Sequence, residues 1–380
     1  MKRRICVVTG TRAEYGLLKS VMEALAASSD AELQILVTGS HLSKKFGSTV
    51  SEIEADGFNI TYRLPILSED EESGEVTRAM GRIFDGIGDA FIQLRPHIIV
   101  VLGDRYETFA ITAAALVQSI PVAHIHGGEL TFGAIDEAFR HSMTKMAWWH
   151  FTAAEEYRQR VLQLGEDPSR VFTTGALAVD SIARLKPMSF PELESSLGMK
   201  LDRPLYVGTF HPETYFPGQA VGHIKEIIDA VKESKPGSVV WTMANADAEG
   251  VAINEAIQEF IQQNPGINIK LFDSLGQRRY LSLLKFADAV IGNSSSGILE
   301  APILGTVTVN IGQRQSGRIK CESVLDCKLD KASILKTLKS LPIITNGKHP
   351  FGEPGVADRI VKALLEAELP KNLMKRFIDL

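Results

Sequence analysis

The chain has 380 residues, of which 44% are hydrophobic and 23% charged, and its formal net charge is -5. This composition excludes a disordered protein, and the length predicts two domains rather than one hydrophobic core. Lys and Arg are dispersed, so neither nucleic acid nor an anionic membrane surface is an expected partner. Three cysteines without zinc spacing, no signal-peptide core and no long apolar run lead us to expect a cytoplasmic protein.

The first half of the chain alternates short apolar segments with amphipathic segments of helical period. The predicted strands are RICVVTG, LQILVTG, HIIVVLGD, PVAHIHGG, WHFTAA and VFTTG, and the helices include AEYGLLKSVMEALAAS and EEYRQRVLQLG. This alternation is typical of strand–helix–strand units and of a parallel sheet. The segments 98–102 and 121–125 are apolar almost throughout, so we expect these strands to be covered on both faces.

A Pro-containing, charge-rich segment follows residue 182, and the alternation then restarts with LYVGTF, SVVWTMAN, INIKLFDS, DAVIGNS and VTVNIG. We therefore predict an α/β protein of two Rossmann-like, doubly wound domains, one over 1–182 and one over 183–365. The tail 366–380 is a candidate to cross back and complete the first domain. Ligands of such folds bind beyond the carboxyl ends of the strands, so we expect a ligand cleft between the domains.

The first predicted strand ends in GTRAEYG. This is neither a dinucleotide fingerprint nor a P-loop, so the sequence does not support a nicotinamide or ATP-type phosphate site. Backbone N–H groups and Arg12 at a helix start would suit another anion. The alternative is a plain turn with a solvated Arg12.

A Gly- and Ser-rich turn, GNSSSG, lies between a buried strand and a helix in the second half. Its backbone N–H groups, the hydroxyls of Ser294 and Ser295 and the helix dipole suit a diphosphate. Glu300, one turn into the predicted helix, suits a ribose. Helix capping alone is the alternative for these residues.

Two further strand ends in the second half carry polar side chains. Arg314, within NIGQRQSGR, would neutralise phosphates. Asn245, within TMANADAEG, would bind polar groups of a ligand or simply form a turn.

Candidate acid and base groups also follow buried strands. Asp104 and Arg105 come directly after HIIVVLG, and His211 follows the first strand of the second half. We expect Asp104 and His211 to face each other across the cleft, although a lone histidine is also common as a structural residue.

The segment HIHGGELTFGAIDEAFRHS is dense in residue types that bind metals or transfer protons. His124 and His126 would share one face of a strand. Asp136 would begin a helix, where capping is its alternative role. No HExxH pattern is present, so we interpret the segment as a source of proton-transfer groups and expect no metal.

Taken in chain order, GTRAEY, GDR, HIHGGE, DE with RHS, FHPET and GNSSSG resemble the hydrolysing UDP-N-acetylglucosamine 2-epimerases, in particular their bacterial NeuC-like branch. The resemblance covers essentially the whole chain. It implies a GT-B fold, a homodimer, no cofactor, and conversion of UDP-N-acetylglucosamine and water to N-acetylmannosamine and UDP through a 2-acetamidoglucal, for sialic or nonulosonic acid synthesis.

Three other functions stay open at this point. Close relatives act instead on UDP-2,4-diacetamido-2,4,6-trideoxyglucose, in legionaminic acid synthesis. More distant alternatives are a GT-B glycosyltransferase and a non-catalytic nucleotide-sugar sensor.

The resemblance also implies residue roles. The substrate- and UDP-binding residues would be Arg12, Arg105, Asn245, Ser294, Ser295, Glu300 and Arg314. Asp104, Asp136 and His211 match catalytic positions of the family. Many relatives have a glutamate where this chain has His126, so either His126 or Glu129 would carry the corresponding proton transfer.

Overall fold

The computed structural model describes residues 2–68, 74–213, 217–244, 249–344 and 348–379. The chain divides into two compact units, each with its own parallel sheet. Unit 1 comprises Met1–Glu129, Asp136–Ala183 and Phe351–Leu380, and unit 2 comprises Leu130–Ile135 and Arg184–Pro350. None of the described helices is long and apolar enough to cross a lipid bilayer.

The described part of unit 1 forms a seven-stranded sheet in the order β3-β2-β1-β4-β5-β6-β7. The strands are β1 Arg3–Thr9, β2 Ala31–Thr38, β3 Tyr62–Leu64, β4 Ile98–Leu102, β5 Val122–Ile125, β6 Trp149–Thr152 and β7 Val171–Thr173. The helices are α1 Arg12–Ala27, α2 Val50–Ala55, α3 Glu75–Leu94, α4 Tyr106–Val117, α5 Asp136–Met146, α6 Glu155–Gln163, α7 Leu177–Ala183 and α14 Val356–Glu366. All residues of β4 and β5 are buried, as expected for strands covered on both faces.

Unit 2 forms a six-stranded sheet over its described residues, in the order β10-β9-β8-β11-β12-β13. The strands are β8 Leu205–Thr209, β9 Ser238–Thr242, β10 Ile269–Phe272, β11 Ala289–Gly292, β12 Thr308–Ile311 and β13 Val324–Cys327. The helices are α8 Phe190–Leu197, α9 Ala220–Glu233, α10 Gly250–Gln263, α11 Gly276–Phe286, α12 Glu300–Ile303 and α13 Lys331–Leu338. The core of this unit packs around Trp241 of β9, which is fully buried.

Both sheets change winding direction at one point. In unit 1, β1 pairs with β2 on one side and β4 on the other, and in unit 2, β8 pairs in the same way with β9 and β11. A doubly wound sheet leaves room for a ligand beyond the carboxyl ends of these two central strands. The two strand pairs therefore locate one candidate half-site in each unit.

The two compact units differ from the predicted domains at two places. The chain returns to unit 1 at Phe351 rather than at 366. The reason is Asp180, whose carboxylate accepts hydrogen bonds from the N–H groups of Gly355 and Ala357 at 2.6 and 2.7 Å and so anchors the start of α14. In addition, residues 130–135 belong to unit 2, because Phe132 donates its N–H to the carbonyl of Ser316.

The C-terminal tail is held on unit 1 by a buried charge cluster. Glu166 accepts hydrogen bonds from Lys375, from Lys145 at 2.7 Å and from His150 at 3.0 Å. Burial alone would raise the pKa of Glu166, but these partners lower it to about 2. Lys375 also donates to the carbonyl of Ala147 at 2.7 Å, so the tail is part of the folded unit.

We expect Lys375→Met to destabilise unit 1 by about 1 to 3 kcal/mol, because Glu166 loses one of its buried cationic partners while keeping Lys145 and His150. Thermal unfolding checks this, with a decrease in Tm of about 2 to 4 °C per kcal/mol. Lys371→Met is the matched control, since Lys371 is exposed on the same tail. Equal Tm values for the two variants would contradict a stabilising role of the cluster.

Candidate functional site

The end of β1 is arranged differently from the anion-binding turn that the sequence suggested. Thr11 caps α1, and the carboxyl group of Glu14 accepts the N–H groups of Gly10 and Thr11 at 2.8 and 3.1 Å. The helix start therefore already holds a carboxyl group of its own chain, in a capping box. Glu14 occupies these two N–H groups, and the partly exposed Arg12 side chain stays a candidate for binding an anion.

Asp104 follows β4 and pairs with a buried arginine. Its carboxylate accepts a hydrogen bond from Arg140 of α5, and the side chains are 18% and 1% exposed, respectively. Gly103, just before it, has a φ of 78°, and its carbonyl accepts a hydrogen bond from Nε2 of His124 at 2.7 Å. Burial lowers the pKa of His124 to about 3, so this histidine is neutral and holds the turn that presents Asp104.

His126 and Glu129 lie close together. The sequence left open which of the two carries the proton transfer. Nδ1 of His126 is 3.2 Å from Oε1 of Glu129, and both side chains are 6% exposed. Leu177 donates its N–H to Nε2 of His126, so the proton of a neutral ring sits on Nδ1 and points at Glu129. The structure thus joins the two residues in one hydrogen-bonded pair.

The expectation that His124 and His126 share a strand face is wrong. Strand β5 ends at Ile125, and His126 has a φ of 64°, in the left-handed region that residues other than glycine seldom adopt. The N–H of His126 is fixed by the carbonyl of Phe151 at 2.8 Å. Held backbone strain of this kind is common at functional sites.

Helix α5 begins at Asp136, as predicted, and carries several titratable side chains in its first two turns. Glu137 lies 3.0 Å from Nε2 of His141 and 3.9 Å from the guanidinium of Arg140. Since Arg140 also holds Asp104, the start of α5 and the end of β4 are joined through one buried cation.

In unit 2, the ends of β8 and β11 are locked together by Asn293. Its side chain accepts the N–H of His211 at 2.7 Å and donates to the carbonyl of His211 at 2.8 Å. The carbonyl of Asn293 accepts hydrogen bonds from Arg314 at 3.3 Å and Gln315 at 2.9 Å. Asn293 therefore fixes both the predicted histidine and the predicted phosphate-binding arginine.

The loop that carries Arg314 has a second support. Oε1 of Glu213 accepts the N–H groups of Gln313 and Arg314, at 2.5 and 3.2 Å. Segment 130–135 packs on the same loop: a Cβ on Gly133 would lie 2.7 Å from the backbone of Arg314. The position of Arg314 is thus determined by buried groups on its own unit.

The GNSSSG turn is followed by less helix than predicted. Ser294 caps a three-residue 3-10 turn, Ser295–Gly297, and α12 then begins at Glu300 and has only four residues. Because Ser295–Gly297 is a 3-10 turn and α12 starts only at Glu300, Glu300 is the first residue of a helix, and the prediction that it lies one turn inside a helix is wrong. A large helix dipole does not contribute here.

Glu300 is oriented by its neighbours instead. Ser296 hydrogen-bonds to Glu300 and accepts a hydrogen bond from the hydroxyl of Tyr280 at 2.8 Å. Burial raises the pKa of Glu300, and the Ser296 bond opposes this rise. Ser294 is half-buried and Ser295 exposed, which leaves both hydroxyls near the surface of the turn. Asn245 lies outside the described residues.

Within the ranges that the structure describes, no group of three or more His, Cys, Asp or Glu side chains is placed to hold a metal ion.

Known proteins resemble this chain in sequence and in fold. The sequence profile of a family described as UDP-N-acetylglucosamine 2-epimerase matches residues 23–365. A GDP/UDP-N,N'-diacetylbacillosamine 2-epimerase (hydrolyzing) of Campylobacter jejuni is 41% identical over 100% of both chains. The chain belongs to the UDP-N-acetylglucosamine 2-epimerase family. It is a hydrolysing UDP-sugar 2-epimerase, which removes the glycosyltransferase and sensor alternatives.

Two further comparisons extend the finding to this epimerase's fold and branch. A UDP-N,N'-diacetylbacillosamine 2-epimerase (hydrolyzing) of Legionella pneumophila is 34% identical over 99% of both chains. The crystal structure of UDP-GlcNAc 2-epimerase from Neisseria meningitidis, bound to UDP-GlcNAc, has a TM-score of 0.81 with 19% identity, over 96% of this chain and 100% of that one. The predicted GT-B fold of two Rossmann-like domains is confirmed.

Several residues that organise the two candidate half-sites had no role assigned from the sequence. They are Glu14, Glu107, Arg140, Asn293 and Glu213, and each is at least 90% buried. A charged residue two to four positions after a predicted strand end was the available signal for the first two. The other three act on residues far away in sequence, which no local pattern shows: Arg140 on the side chain of Asp104, and Asn293 and Glu213 on backbone groups.

Proposed function

We propose that this epimerase hydrolyses and epimerises UDP-N,N'-diacetylbacillosamine, which is UDP-2,4-diacetamido-2,4,6-trideoxyglucose. The observation that carries the proposal is the full-length match, at 41% identity, to a hydrolysing epimerase named for that sugar. The Legionella pneumophila relative, named for the same sugar, supports it. UDP-N-acetylglucosamine is the second candidate, because the family profile is described by it. We further propose a cytoplasmic homodimer that needs neither cofactor nor metal.

In this proposal, unit 2 binds the nucleotide. Arg314, fixed by the carbonyl of Asn293, would neutralise charge on the diphosphate. The hydroxyls of Ser294 and Ser295 would donate hydrogen bonds to it. Glu300, oriented by Ser296, would accept hydrogen bonds from the ribose. His211 would contact the phosphate or relay a proton, since Asn293 holds its backbone on both sides.

Unit 1 would supply the proton-transfer groups. The C2 hydrogen of the sugar is weakly acidic until the C1–O bond begins to break, so departure of UDP must come first. A carboxylate then accepts the C2 proton, which yields UDP and a 2-acetamidoglucal. Water then adds across the C1–C2 double bond. The hydroxyl group bonds to C1, and C2 receives a proton on the face opposite to the one that lost the first proton, which gives a free manno-configured sugar.

The contacts of these groups favour a different role for each of them. Asp104, ion-paired with Arg140, suits stabilisation of the positive charge that grows on the sugar ring. Glu129, with His126 donating to it, suits proton transfer, and His126 then orients the carboxylate. Asp136 would serve as the second acid or base in the hydration step.

We expect the purified enzyme, incubated in D2O, to release UDP and a free manno sugar deuterated at C2, with no effect of EDTA. NMR of the products tests this with UDP-N,N'-diacetylbacillosamine and UDP-N-acetylglucosamine in parallel. The proposal predicts a kcat/KM at least about tenfold higher for the diacetylated sugar, about 1.4 kcal/mol of discrimination. A gluco-configured sugar without deuterium would reduce the activity to simple hydrolysis. A higher kcat/KM for UDP-N-acetylglucosamine would select the second candidate.

A further inference from the structure

Two buried carboxyl groups lie at the end of β1 beside a single arginine. Glu14 and Glu107 are 5% and 1% exposed. Arg105 is placed against Glu107, with Nε 3.3 Å from Oε2 and Nη2 3.5 Å from Oε1. Oε2 of Glu14 accepts two backbone N–H groups, whereas its Oε1 is buried and has no hydrogen-bond partner.

Two glycines bring these carboxyl groups together and cover them. A Cβ on Gly10 would lie 3.4 Å from Oε2 of Glu14 and 3.6 Å from Cβ and Cγ of Glu107, so both side chains pack on the same residue. A Cβ on Gly39 would lie 3.1 Å from Oε1 of Glu107 and 2.7 Å from the carbonyl of Gly10. Both glycines thus pack closely against the buried pair.

We propose that Glu14 holds a proton in the folded protein while Glu107 stays ionised, and that Glu107 is a positioning residue for Arg105. This inference rests on the proposed function and on the contact with the UDP-sugar that the family resemblance implies for Arg105. Glu107 holds that arginine in place, and the neutral Glu14 keeps Glu107 ionised.

The charges around the pair support this assignment. Two ionised carboxylates in a buried space with one cation would leave one of them uncompensated, which is costly. Glu107 has the guanidinium, so Glu14 is the group that stays protonated. Burial, together with the charge of Glu107, raises the pKa of Glu14 to about 8, although Arg105 and the backbone N–H groups of Gly10 and Thr11 oppose the rise.

The remaining neighbour is His41, from the turn after β2. Its Nε2 lies 2.9 Å from the hydroxyl of Thr9, and burial lowers its pKa to about 4, so it contributes no charge to the pair in the neutral range. The charge of Arg12, at the start of α1, contributes to this lowering of the His41 pKa.

The test compares four proteins across pH: the wild type, Glu14→Gln, Glu107→Gln and the control Glu156→Gln, which replaces an exposed glutamate on α6. We expect kcat/KM of the wild type to fall as pH rises through about 8, and this fall to be absent in Glu14→Gln, whose amide imitates the neutral acid. Glu107→Gln should raise KM about tenfold with a smaller change in kcat, and Glu107→Asp should restore part of the loss.

Thermal unfolding provides a readout that needs no substrate. A carboxyl group whose folded pKa is raised contributes stability that is present below the unfolded pKa of 4.5 and lost as pH rises to about 8. The Tm of Glu14→Gln relative to wild type should therefore increase over that pH range, while Glu156→Gln follows the wild type. This result holds even if neither UDP-sugar is a substrate, so the two proposals fail separately.

Two outcomes would overturn the inference. An alkaline fall in kcat/KM, or a pH-independent Tm difference, in Glu14→Gln would show that Glu14 holds no proton in the folded protein. An unchanged KM in a folded Glu107→Gln would show that Glu107 does not position Arg105. If Glu107→Gln does not fold, the Tm profile of Glu14→Gln decides the question.

Discussion

Asp104→Asn is expected to lower kcat by about a thousandfold, within the range of one hundred to ten thousand that a single proton-transfer or charge-stabilising group contributes. The asparagine keeps the size of the side chain and one acceptor for Arg140 but removes the negative charge at the end of β4. If the charge stabilises the oxocarbenium-like sugar, kcat falls while UDP binding, which we assign to unit 2, stays within about threefold.

The measurement combines steady-state kinetics with calorimetric titration of UDP. Asp85→Asn is the matched control, because Asp85 is exposed on α3 of the same unit. Arg140 is 1% exposed and would lose its Asp104 partner, although Glu137 remains 3.9 Å away, so circular dichroism must show that the variant is folded. Turnover at the wild-type rate would rule out Asp104 as a catalytic group.

The second large effect is expected for Asn293→Ala. This substitution leaves the N–H and carbonyl of His211 buried without their side-chain partner, at a cost of about 1 to 3 kcal/mol for each group. Tm should fall by about 2 to 4 °C per kcal/mol. The substitution also removes the side-chain anchor of the turn at residue 293, whose backbone carbonyl accepts hydrogen bonds from Arg314 and Gln315. UDP affinity should therefore fall at least about tenfold.

Differential scanning fluorimetry with and without UDP measures both consequences. Gln258→Ala, which removes an exposed amide from α10 in the same unit, is the control and should match the wild type. A variant that melts lower but binds UDP with wild-type affinity would show that Asn293 supports the fold without organising the nucleotide residues.

The sequence predicted the long, apolar strands well, because a strand buried on both faces has an unbroken hydrophobic run. It missed β3 and β13, which are three and four residues long and lie at the sheet edges, where burial is partial. It placed α14 in the wrong unit, since the bonds from Asp180 that anchor it join residues 175 or more positions apart.

The residues of the candidate half-sites also divide into those with a local sequence signal and those that depend on distant contacts. Asp104, Arg105, His211 and Ser294 were predicted as site residues because ligand groups of doubly wound folds follow the central strands. The groups that hold them, such as Asn293 and Arg140, depend on contacts across strands and helices, which one sequence does not reveal. Polar residues that satisfy buried backbone groups look in sequence like ordinary loop or helix residues.

The discontinuous composition of unit 1 has a consequence for how the protein is made. Its last part, Phe351–Leu380, leaves the ribosome after the whole of unit 2, so the anchor of α14 on Asp180 and the Lys375–Glu166 pair form only after unit 2 has been synthesised. A gene fragment that stops at Ala183 lacks both contacts, and it lacks Ser316, to which residues 130–135 are bonded in unit 2. Unit 1, to which we assign the proton-transfer groups, is therefore not separable by simple truncation.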